Sequence, residues 1–389
     1  MKIAFDGQFF LKGNKTGVAW SADNIIRNMA HWKNISRQIQ CFGLGYSRRQ
    51  KEQVYKYEEG NCTVNMCRWF HDVVYRMIWN YIPIPYSVFF GKSADVSIFF
   101  NFIIPPGVKG KKIAVIHDMA YMACPDTVRS KTRRVLETSM RKSCRRADKI
   151  ITISEFSKSE ILRYLPVESD KVEVVPWGVD FNVYNDKYSA DIIGQTVKKY
   201  IAEEEYILYL GTIEPRKNLE RLIYAYAMLY DKENNIPVLA LAGQKGWYYD
   251  EIFNAVKELQ LESKVKFLGY VPDEDVPLLL CGAKVFVFPS LYEGFGLPPL
   301  EAMACGTPVV TSNVASLPEF TKDVAILVDP MSVSSIADGI DMALRDECLR
   351  EKIIEKGLNR SREYTWDRST ERIVDICRQL MQEQQESNL

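Results

Sequence analysis

The sequence predicts an α/β protein of two doubly wound domains, each with a parallel sheet covered by helices on both faces. Short β-branched runs alternate with longer helical segments, which is typical of βαβ units. The alternation is interrupted by a polar, acidic stretch at residues 179–205 and then starts again. Gly-rich segments follow several predicted strands, and the carboxyl ends of strands are where such sheets bind ligands.

The first predicted domain covers residues 1–180. Its predicted strands are residues 2–6, 112–117, 149–153 and 171–175, and its predicted helices are residues 19–32, 128–147 and 157–164. Ser154 precedes the last of these helices. It predicts an N-cap, because a serine hydroxyl accepts a hydrogen bond from a backbone N–H of the first turn.

The second predicted domain covers residues 181–365. Its predicted strands are residues 206–210, 238–242, 265–268, 285–289, 308–311 and 326–328. Predicted helices cover residues 219–230, 250–259 and 298–305, and further helices follow to the end. A chain of 389 residues is long enough to bury a core in each of two domains.

The formal net charge of zero conceals an uneven distribution. Residues 1–184 carry a net charge of +11, and residues 185–389 carry −11. A basic half predicts an anionic partner or surface. The 12% aromatic content argues against a disordered chain. No uninterrupted apolar run reaches the length of about 18 residues that a membrane-spanning helix needs.

The nine cysteines contain no Cys-x-x-Cys pair, which predicts reduced thiols and a cytoplasmic protein. The N-terminal segment lacks the long apolar core of a secretory signal and is interpreted as a first strand. Cys62, Cys67 and His71 are close in sequence, but we interpret them as a solvated loop or helix face. We therefore expect no metal site and no metal cofactor.

The strongest motif is EGFGLPPLE, residues 293–301, directly after the predicted strand 285–289. Its two carboxylates, Glu293 and Glu301, flank a Gly-rich turn that opens a helix. The N–H groups at a helix start bind anions, and carboxylates accept hydrogen bonds from sugar hydroxyls. The segment thus predicts a site for a phosphorylated sugar. The alternative is a turn followed by a helix with a favourable N-terminal glutamate.

Three further segments follow predicted strands. Arg216 and Lys217 lie in the segment 211–218, before a helix, and predict a phosphate site. Gly17 ends the loop 13–17, which has the shape of a phosphate-contacting turn. His117 ends the predicted strand 112–117 and predicts a ligand contact. The alternatives are a solvated basic pair, an ordinary loop and a structural histidine.

Together these segments resemble the family 4 retaining glycosyltransferases of bacterial surface-polysaccharide synthesis. Glu293 and Glu301 match the E-x7-E motif of that family, and residues 214–218 match its EPRKN turn. Other matching segments are residues 153–158, 175–180, 288–290, 301–310 and 317–319. The resemblance implies the GT-B fold, in which two Rossmann-like domains face each other across a cleft. It also implies that a final helix, residues 366–389, packs back on the first domain.

The resemblance implies a role for each site residue. Arg216 and Lys217 would neutralise the donor diphosphate, and Glu301 would bind the ribose hydroxyls. Glu293 and His117 would contact the transferred sugar. Further donor contacts would come from Gly17, from Gly269 at the base pocket, and from the backbone N–H groups of Phe295, Gly296 and Leu297.

The implied reaction moves a hexosyl group from a nucleotide-diphosphate sugar to an acceptor hydroxyl, with retention and without a metal. The implied acceptor is a saccharide, such as one linked to a polyprenyl lipid. GDP-mannose is the favoured donor, while UDP-glucose, UDP-N-acetylglucosamine and dTDP-rhamnose stay open. Two mechanisms also stay open. Glu293 is the nucleophile in one, and the other is a front-face route in which the leaving phosphate helps take the acceptor proton. The alternative functions are a GT-B sugar-nucleotide epimerase and a non-catalytic nucleotide-sugar-binding protein.

Basic residues crowd the segment 129–149, and aromatic residues crowd the segment 69–90. Such segments predict binding to an anionic membrane, here the inner face of the plasma membrane. The alternative is a buried aromatic core beside a solvated helix. Nucleic acid is not an expected partner, because no recognition motif accompanies the basic charge.

Overall fold

The computed structural model describes residues 1–12, 17–79, 82–91, 94–233 and 235–386. Contacts divide the chain into two compact units. Unit 1 comprises Met1–Met119, Ser130–Trp177 and the chain from Trp366 onward, and unit 2 comprises Ala120–Arg129 and Gly178–Thr365. Within these described ranges, no helix has the length and apolar character needed to cross a membrane.

The strands and helices alternate along most of the chain. The strands are β1 (Lys2–Asp6), β2 (Ser36–Phe42), β3 (Cys62–Cys67), β4 (Val96–Phe99), β5 (Lys111–Val115), β6 (Lys149–Thr152), β7 (Val172–Val174), β8 (Tyr206–Leu210), β9 (Val238–Ala242), β10 (Val265–Gly269), β11 (Val285–Phe288), β12 (Val309–Ser312) and β13 (Ile326–Val328). The helices are α1 (Gly17–Asn28), α2 (Arg48–Tyr55), α3 (Asp72–Ile78), α4 (Ser87–Phe90), α5 (Ala120–Ala123), α6 (Ser130–Arg146), α7 (Glu155–Tyr164), α8 (Ala190–Val197), α9 (Leu219–Lys232), α10 (Asp250–Glu258), α11 (Val276–Gly282), α12 (Leu297–Ala304), α13 (Pro318–Thr321), α14 (Val333–Arg345), α15 (Glu347–Ser361) and α16 (Trp366–Glu386).

Each unit contains a fully parallel sheet. The seven strands described in unit 1 follow the order β3-β2-β1-β4-β5-β6-β7, and the six in unit 2 follow β10-β9-β8-β11-β12-β13. The strand order reverses direction between β1 and β4 in unit 1, and between β8 and β11 in unit 2. At such a switch point the loops after adjacent strands diverge and leave a crevice for a ligand. The prediction of two doubly wound α/β domains is confirmed.

Three strands of unit 1 were not predicted, and the reason is visible in β2. Its buried side chains include the polar Arg37, Gln38 and Gln40, so its sequence lacks an apolar run. The interpretation of Cys62 and Cys67 as part of a loop or helix face is wrong. They are the first and last residues of β3, both side chains are buried, and β3 pairs with β2 along its whole length.

The final helix and one short segment depart from the linear order of the domains. α16 belongs to unit 1, where the Ser369 hydroxyl donates to the Pro176 carbonyl at 2.6 Å. Residues 120–129, which we assigned to the first domain, group with unit 2. The Trp247 indole donates to the Thr127 carbonyl at 2.6 Å, and the Arg129 guanidinium lies 4.9 Å from the Trp247 ring centroid. These contacts join residues about 120 positions apart, which local sequence patterns do not reveal.

Candidate functional site

The switch point of unit 2 brings two distant segments together. The turn Pro215–Lys217 follows β8, and the segment that contains Glu293 follows β11. Because β8 and β11 are neighbours in a parallel sheet, both segments leave the same edge side by side. The backbone N–H of Leu291 donates to the Arg216 carbonyl at 2.9 Å, which ties the two segments directly.

Arg216, Lys217 and Glu293 form a buried ion cluster at this edge. The Lys217 ammonium lies 2.6 Å from one Glu293 carboxylate oxygen, and the Arg216 guanidinium lies 3.1 Å from the other. The second arm of Arg216 pairs with the buried Glu214 at 2.8 Å. Lys217 also lies 4.9 Å from the Phe288 ring centroid, a cation–π distance. The sequence-predicted Arg216, Lys217 and Glu293 therefore meet in one place.

The cluster fixes the ionisation of Glu293. Burial alone raises the pKa of this carboxyl group, but Lys217 and Arg216 outweigh burial and lower the pKa from 4.5 to about 2. Burial lowers the pKa of Lys217 from its ordinary value, and the Glu293 charge opposes that effect. Glu293 is thus anionic at neutral pH.

Glu301, the second carboxylate of the motif, lies in a different environment. It stands on α12, one turn from the helix start, and the Tyr184 hydroxyl forms a hydrogen bond with it. Burial raises the pKa of Glu301 to about 7, with the nearby Asp273 adding to the rise. The two glutamates of one motif therefore titrate far apart, because only Glu293 has cationic partners.

The start of α12 lies between these two carboxylates. Gly296 caps the helix with φ 105°, and a Cβ there would come within 2.6 Å of the Leu317 side chain. A residue with a side chain would therefore be strained at this position. Phe295 is anchored by its ring, which stacks on Phe320 at 5.1 Å. The Leu297 N–H, at the start of α12, has no acceptor within the helix, and the next two residues, Pro298 and Pro299, carry no N–H.

Two family models match this chain in succession. Residues 47–183 match the model described as Glycosyltransferase Family 4, and residues 195–360 match Glycosyl transferases group 1. An O-antigen chain mannosyltransferase B from Escherichia coli is 36% identical over 280 residues, which are 72% of this chain and 73% of that protein. This chain belongs to the family 4 glycosyltransferases. Membership does not favour the epimerase or the non-catalytic binding protein as its function.

Two further comparisons place the glycosyltransferase among its relatives. A serotype-specific mannosyltransferase WbdA of Escherichia coli is 34% identical over 245 residues, which cover 62% of this chain but 30% of WbdA. The crystal structure of Anabaena HepE in complex with UDP and glucose has a TM-score of 0.74 and 18% identity. That match covers 97% of this chain and 99% of HepE. The fold of the glycosyltransferase is GT-B, as the resemblance implied.

Two of the predicted site residues lie in unit 1 of the glycosyltransferase. His117 follows β5 and is buried, and its Nε2 lies 2.8 Å from the Phe100 carbonyl, so Nε2 carries the hydrogen. Burial lowers the pKa of His117, which makes the ring neutral at pH 7, with Nδ1 as an acceptor. Gly17 begins α1 and is exposed. The rest of its loop, residues 13–16, lies outside the described residues.

Gly269 lies at the end of β10, away from the ion cluster. Its carbonyl accepts the Gly243 N–H at 2.8 Å. Gly243 in turn approaches the turn after β8 so closely that a Cβ would stand 1.8 Å from the Gly211 carbonyl oxygen. The loops after β8, β9 and β10 thus form a continuous edge. Our sequence analysis missed Gly243, although its position directly after β9 was a signal.

Sequence analysis also missed the residues that hold the cluster in place. Asn218 has a left-handed backbone, and its amide donates to the Pro289 carbonyl at 3.0 Å and the Pro330 carbonyl at 2.7 Å. The Ser316 hydroxyl lies 2.9 Å from the carbonyls of both Glu293 and Phe295. In the part of the chain that the structure describes, His, Cys, Asp and Glu side chains form no group that could hold a metal ion. The expectation of a metal-independent reaction stays a prediction.

Replacing Glu293 with glutamine should destabilise unit 2. The substitution leaves the buried Lys217 without its carboxylate, while Arg216 keeps Glu214, and breaking a buried ion pair costs about 3–5 kcal/mol. The folded-state pKa of Glu293 is depressed, so its stabilisation is complete above pH 4.5 and is lost as the pH falls towards 2. In urea denaturation, the free energy of unfolding of wild type should therefore exceed that of Glu293→Gln at pH 6. This excess should shrink as the pH falls from 4.5 towards 2.

The matched control is Glu355→Gln, which neutralises an exposed carboxylate on α15. We expect this variant to unfold like wild type at every pH. If wild type and Glu293→Gln differ in their free energy of unfolding by the same amount at pH 6 and at pH 2.5, the assigned charge of Glu293 is contradicted.

Proposed function

We propose that this glycosyltransferase transfers a mannosyl group from GDP-mannose to a saccharide acceptor hydroxyl, with retention at the anomeric carbon. The mannosyl group is supported by the two Escherichia coli relatives, both named as mannosyltransferases. A nucleotide-sugar donor is supported by HepE, whose structure contains UDP and glucose. The observation that carries the proposal is the Arg216–Lys217–Glu293 cluster at the switch point of unit 2.

In the proposed reaction, Arg216 and Lys217 stabilise the departing diphosphate. Negative charge grows on the diphosphate as its bond to the sugar breaks, and fixed cations lower the energy of that transition state. An ammonium group has three donors, and Lys217 uses one of them on Glu293. A phosphate oxygen can therefore bind Lys217 while the ion pair persists. A diphosphate is already a good leaving group, so the reaction requires neither a general acid nor, we propose, a metal.

Glu293 acts as an anion in this proposal. A carboxylate with a pKa of about 2 carries no proton to donate at neutral pH. It can stabilise positive charge on the sugar ring or attack the anomeric carbon. The nucleophilic and front-face routes therefore both remain consistent with its charge.

The remaining site residues would orient the donor. The N–H groups of Phe295, Gly296 and Leu297 at the start of α12 would bind phosphate and sugar oxygens, aided by the helix dipole. Glu301 would accept hydrogen bonds from the ribose, and Gly269 would border the base. From unit 1, Gly17 would approach the diphosphate, and His117 Nδ1 would accept a hydrogen bond from a sugar hydroxyl.

We further propose that unit 1 binds an anionic membrane, where a polyprenyl-linked saccharide acceptor would reside. Lys131, Arg134, Arg141 and Arg145 are exposed on α6 and fall within one face at helical spacing. We call this set the basic stripe. Arg129 and Arg146 do not belong to it. Arg129 lies over Trp247 in unit 2, and Arg146 donates to the Ile104 carbonyl at 2.8 Å.

The aromatic segment of unit 1 divides into a core part and an exposed part. Tyr75, Tyr86 and Phe90 pack around Phe42 and are buried. Trp69 and Met77 are 60% and 69% exposed. Exposed apolar side chains favour insertion into a bilayer interface, so they support the membrane proposal. The proposed location is the cytoplasmic face of the plasma membrane.

Replacing Lys217 with alanine should lower the rate of sugar transfer by about 10²–10³-fold, the usual effect of removing a group that stabilises developing negative charge. Arg216 would still pair with Glu293, so we expect the variant to fold. Turnover is measured at a temperature at which the variant is folded. Lys322→Ala, an exposed lysine of unit 2, is the matched control. Turnover by Lys217→Ala close to that of wild type would refute the proposed role.

Nucleotide affinity should depend on pH through Glu301. Because burial raises the pKa of Glu301 to about 7, its carboxylate form predominates only above that pH. If only the carboxylate binds ribose, GDP should bind about tenfold more weakly at pH 6 than at pH 8. Calorimetric titration of wild type and Glu301→Gln tests this, since the variant keeps any pH dependence that arises from the phosphates. If the GDP affinity of the two proteins changes equally with pH, the proposed binding of ribose by Glu301 is ruled out.

Neutralising the basic stripe should weaken membrane binding. Each basic residue near an anionic surface contributes about 1 kcal/mol, so the triple variant Arg134→Gln/Arg141→Gln/Arg145→Gln should bind about 100-fold more weakly. Sedimentation with phosphatidylglycerol vesicles measures this. The control removes three exposed lysines of unit 2, Lys187, Lys322 and Lys352. Equal binding by the two triple variants would remove the basic stripe from the proposal.

A further inference from the structure

Unit 1 contains a polar cavity at one edge of its sheet. The edge lies opposite the carboxyl ends of β1 and β5, the strands that precede Gly17 and His117. The cavity has a volume of about 470 Å³ and lies beside the amino ends of β2 and β3. Its charged lining residues are Arg27, Lys33, Arg37, Lys56 and Glu59. Because β1 to β7 are parallel, this edge is remote from the carboxyl ends of the same strands. The cavity therefore has no part in the proposed donor site.

The lining carries a surplus of positive charge. Arg27 is already paired with Asp23 at 2.8 Å. Lys33 and Lys56 are exposed at the rim, and within the described residues neither has an ion-pair partner. Glu59 is the one carboxylate among the lining residues. Four cations around one cavity repel one another unless an anion lies between them.

Arg37 supplies a buried donor at this cavity. Its side chain is 8% exposed, and one guanidinium nitrogen donates to the Ile26 carbonyl at 2.7 Å. Its Nε–H is buried and has no hydrogen-bond acceptor among the described residues. The Nε–H is shielded from solvent, so a ligand in the cavity would meet the remaining guanidinium nitrogens of Arg37, which lines the cavity. Arg37 is held by strand pairing of β2 with β1 and β3, so its position is fixed before any ligand binds.

We propose that this cavity binds the phosphate group of a small ligand. A guanidinium presents a planar set of donors that matches phosphate oxygens, and two lysines at the rim add charge that is not directional. The volume lies within the range of small-molecule sites. Tyr57 also lines the cavity, and the Arg27 guanidinium lies 5.2 Å from its ring centroid, which holds this cation at the cavity.

The test is calorimetric titration of the full chain with inorganic phosphate. The titration uses the Lys217→Ala variant as the parent protein, so that the Arg216–Lys217–Glu293 cluster of unit 2 contributes little to phosphate binding. Adding Lys33→Gln/Lys56→Gln should raise the dissociation constant about tenfold or more, and Arg37→Met should abolish binding. If Arg37→Met does not fold, the double lysine variant carries the test alone.

The matched control is Lys109→Gln, an exposed lysine that precedes β5, three strands from β2 and so about 14 Å away along the sheet. It should bind phosphate as the parent does. Absence of saturable binding in the parent, or equal affinity in the parent and the double lysine variant, would overturn the proposal.

A second arm distinguishes a soluble phosphate from a lipid headgroup. The basic-stripe triple variant is sedimented with phosphatidylcholine vesicles, with and without phosphatidic acid. If Lys33→Gln/Lys56→Gln removes binding that depends on phosphatidic acid, the phosphate belongs to a lipid. If vesicle binding is unchanged while inorganic phosphate binding is lost, the ligand is soluble. Both results, together with saturable phosphate binding by the parent, support phosphate recognition. If the double lysine variant keeps both kinds of binding, the proposal is rejected.

Discussion

The candidate site at the sheet edge of unit 2 depends on one interaction, the burial of Glu293 between Lys217 and Arg216. Two buried cations are costly unless a carboxylate lies between them, and a buried carboxylate is costly without cations. Each charge therefore makes the others tolerable in a site shielded from water. The cluster also joins the turn after β8 to the segment after β11, at contacts of 2.6 and 3.1 Å across 76 or more residues of sequence. The same two segments are joined by a backbone hydrogen bond, from the Leu291 N–H to the Arg216 carbonyl.

The strand order explains why the cluster forms where it does. At the β8–β11 switch point the chain leaves the sheet edge in two directions, and it is beside such points that parallel sheets bind ligands. The αL backbone of Asn218 redirects the chain into α9, and Gly296 does the same for α12. Both segments therefore bring polar groups to this edge of the sheet. Their apolar side chains pack in the core, as the Phe295 ring does against Phe320.

The sequence was sufficient to predict the two α/β domains and to propose Arg216, Lys217 and Glu293, because strand ends and Gly-rich turns are local signals. It did not predict that these charges neutralise one another, since their contact joins separate segments. The opposite pKa shifts of Glu293 and Glu301 were also hidden, because they depend on partners such as Tyr184 that only the fold supplies. β2 escaped prediction because three of its buried residues are polar, and one of them, Arg37, lines the cavity of unit 1.

The charge division of the sequence acquires a different meaning in the structure. Residues 185–389 carry a net charge of −11, yet they contain the proposed site for an anionic donor. The Arg216, Lys217, Glu214 and Glu293 side chains sum to no net charge, so attraction by a simple cationic patch is not available. In the proposed site, donor binding would instead rely on fixed donors, namely the N–H groups of Phe295, Gly296 and Leu297 and the spare donors of Lys217. Such donors are already oriented, so they would stabilise a departing diphosphate without reorganising around it.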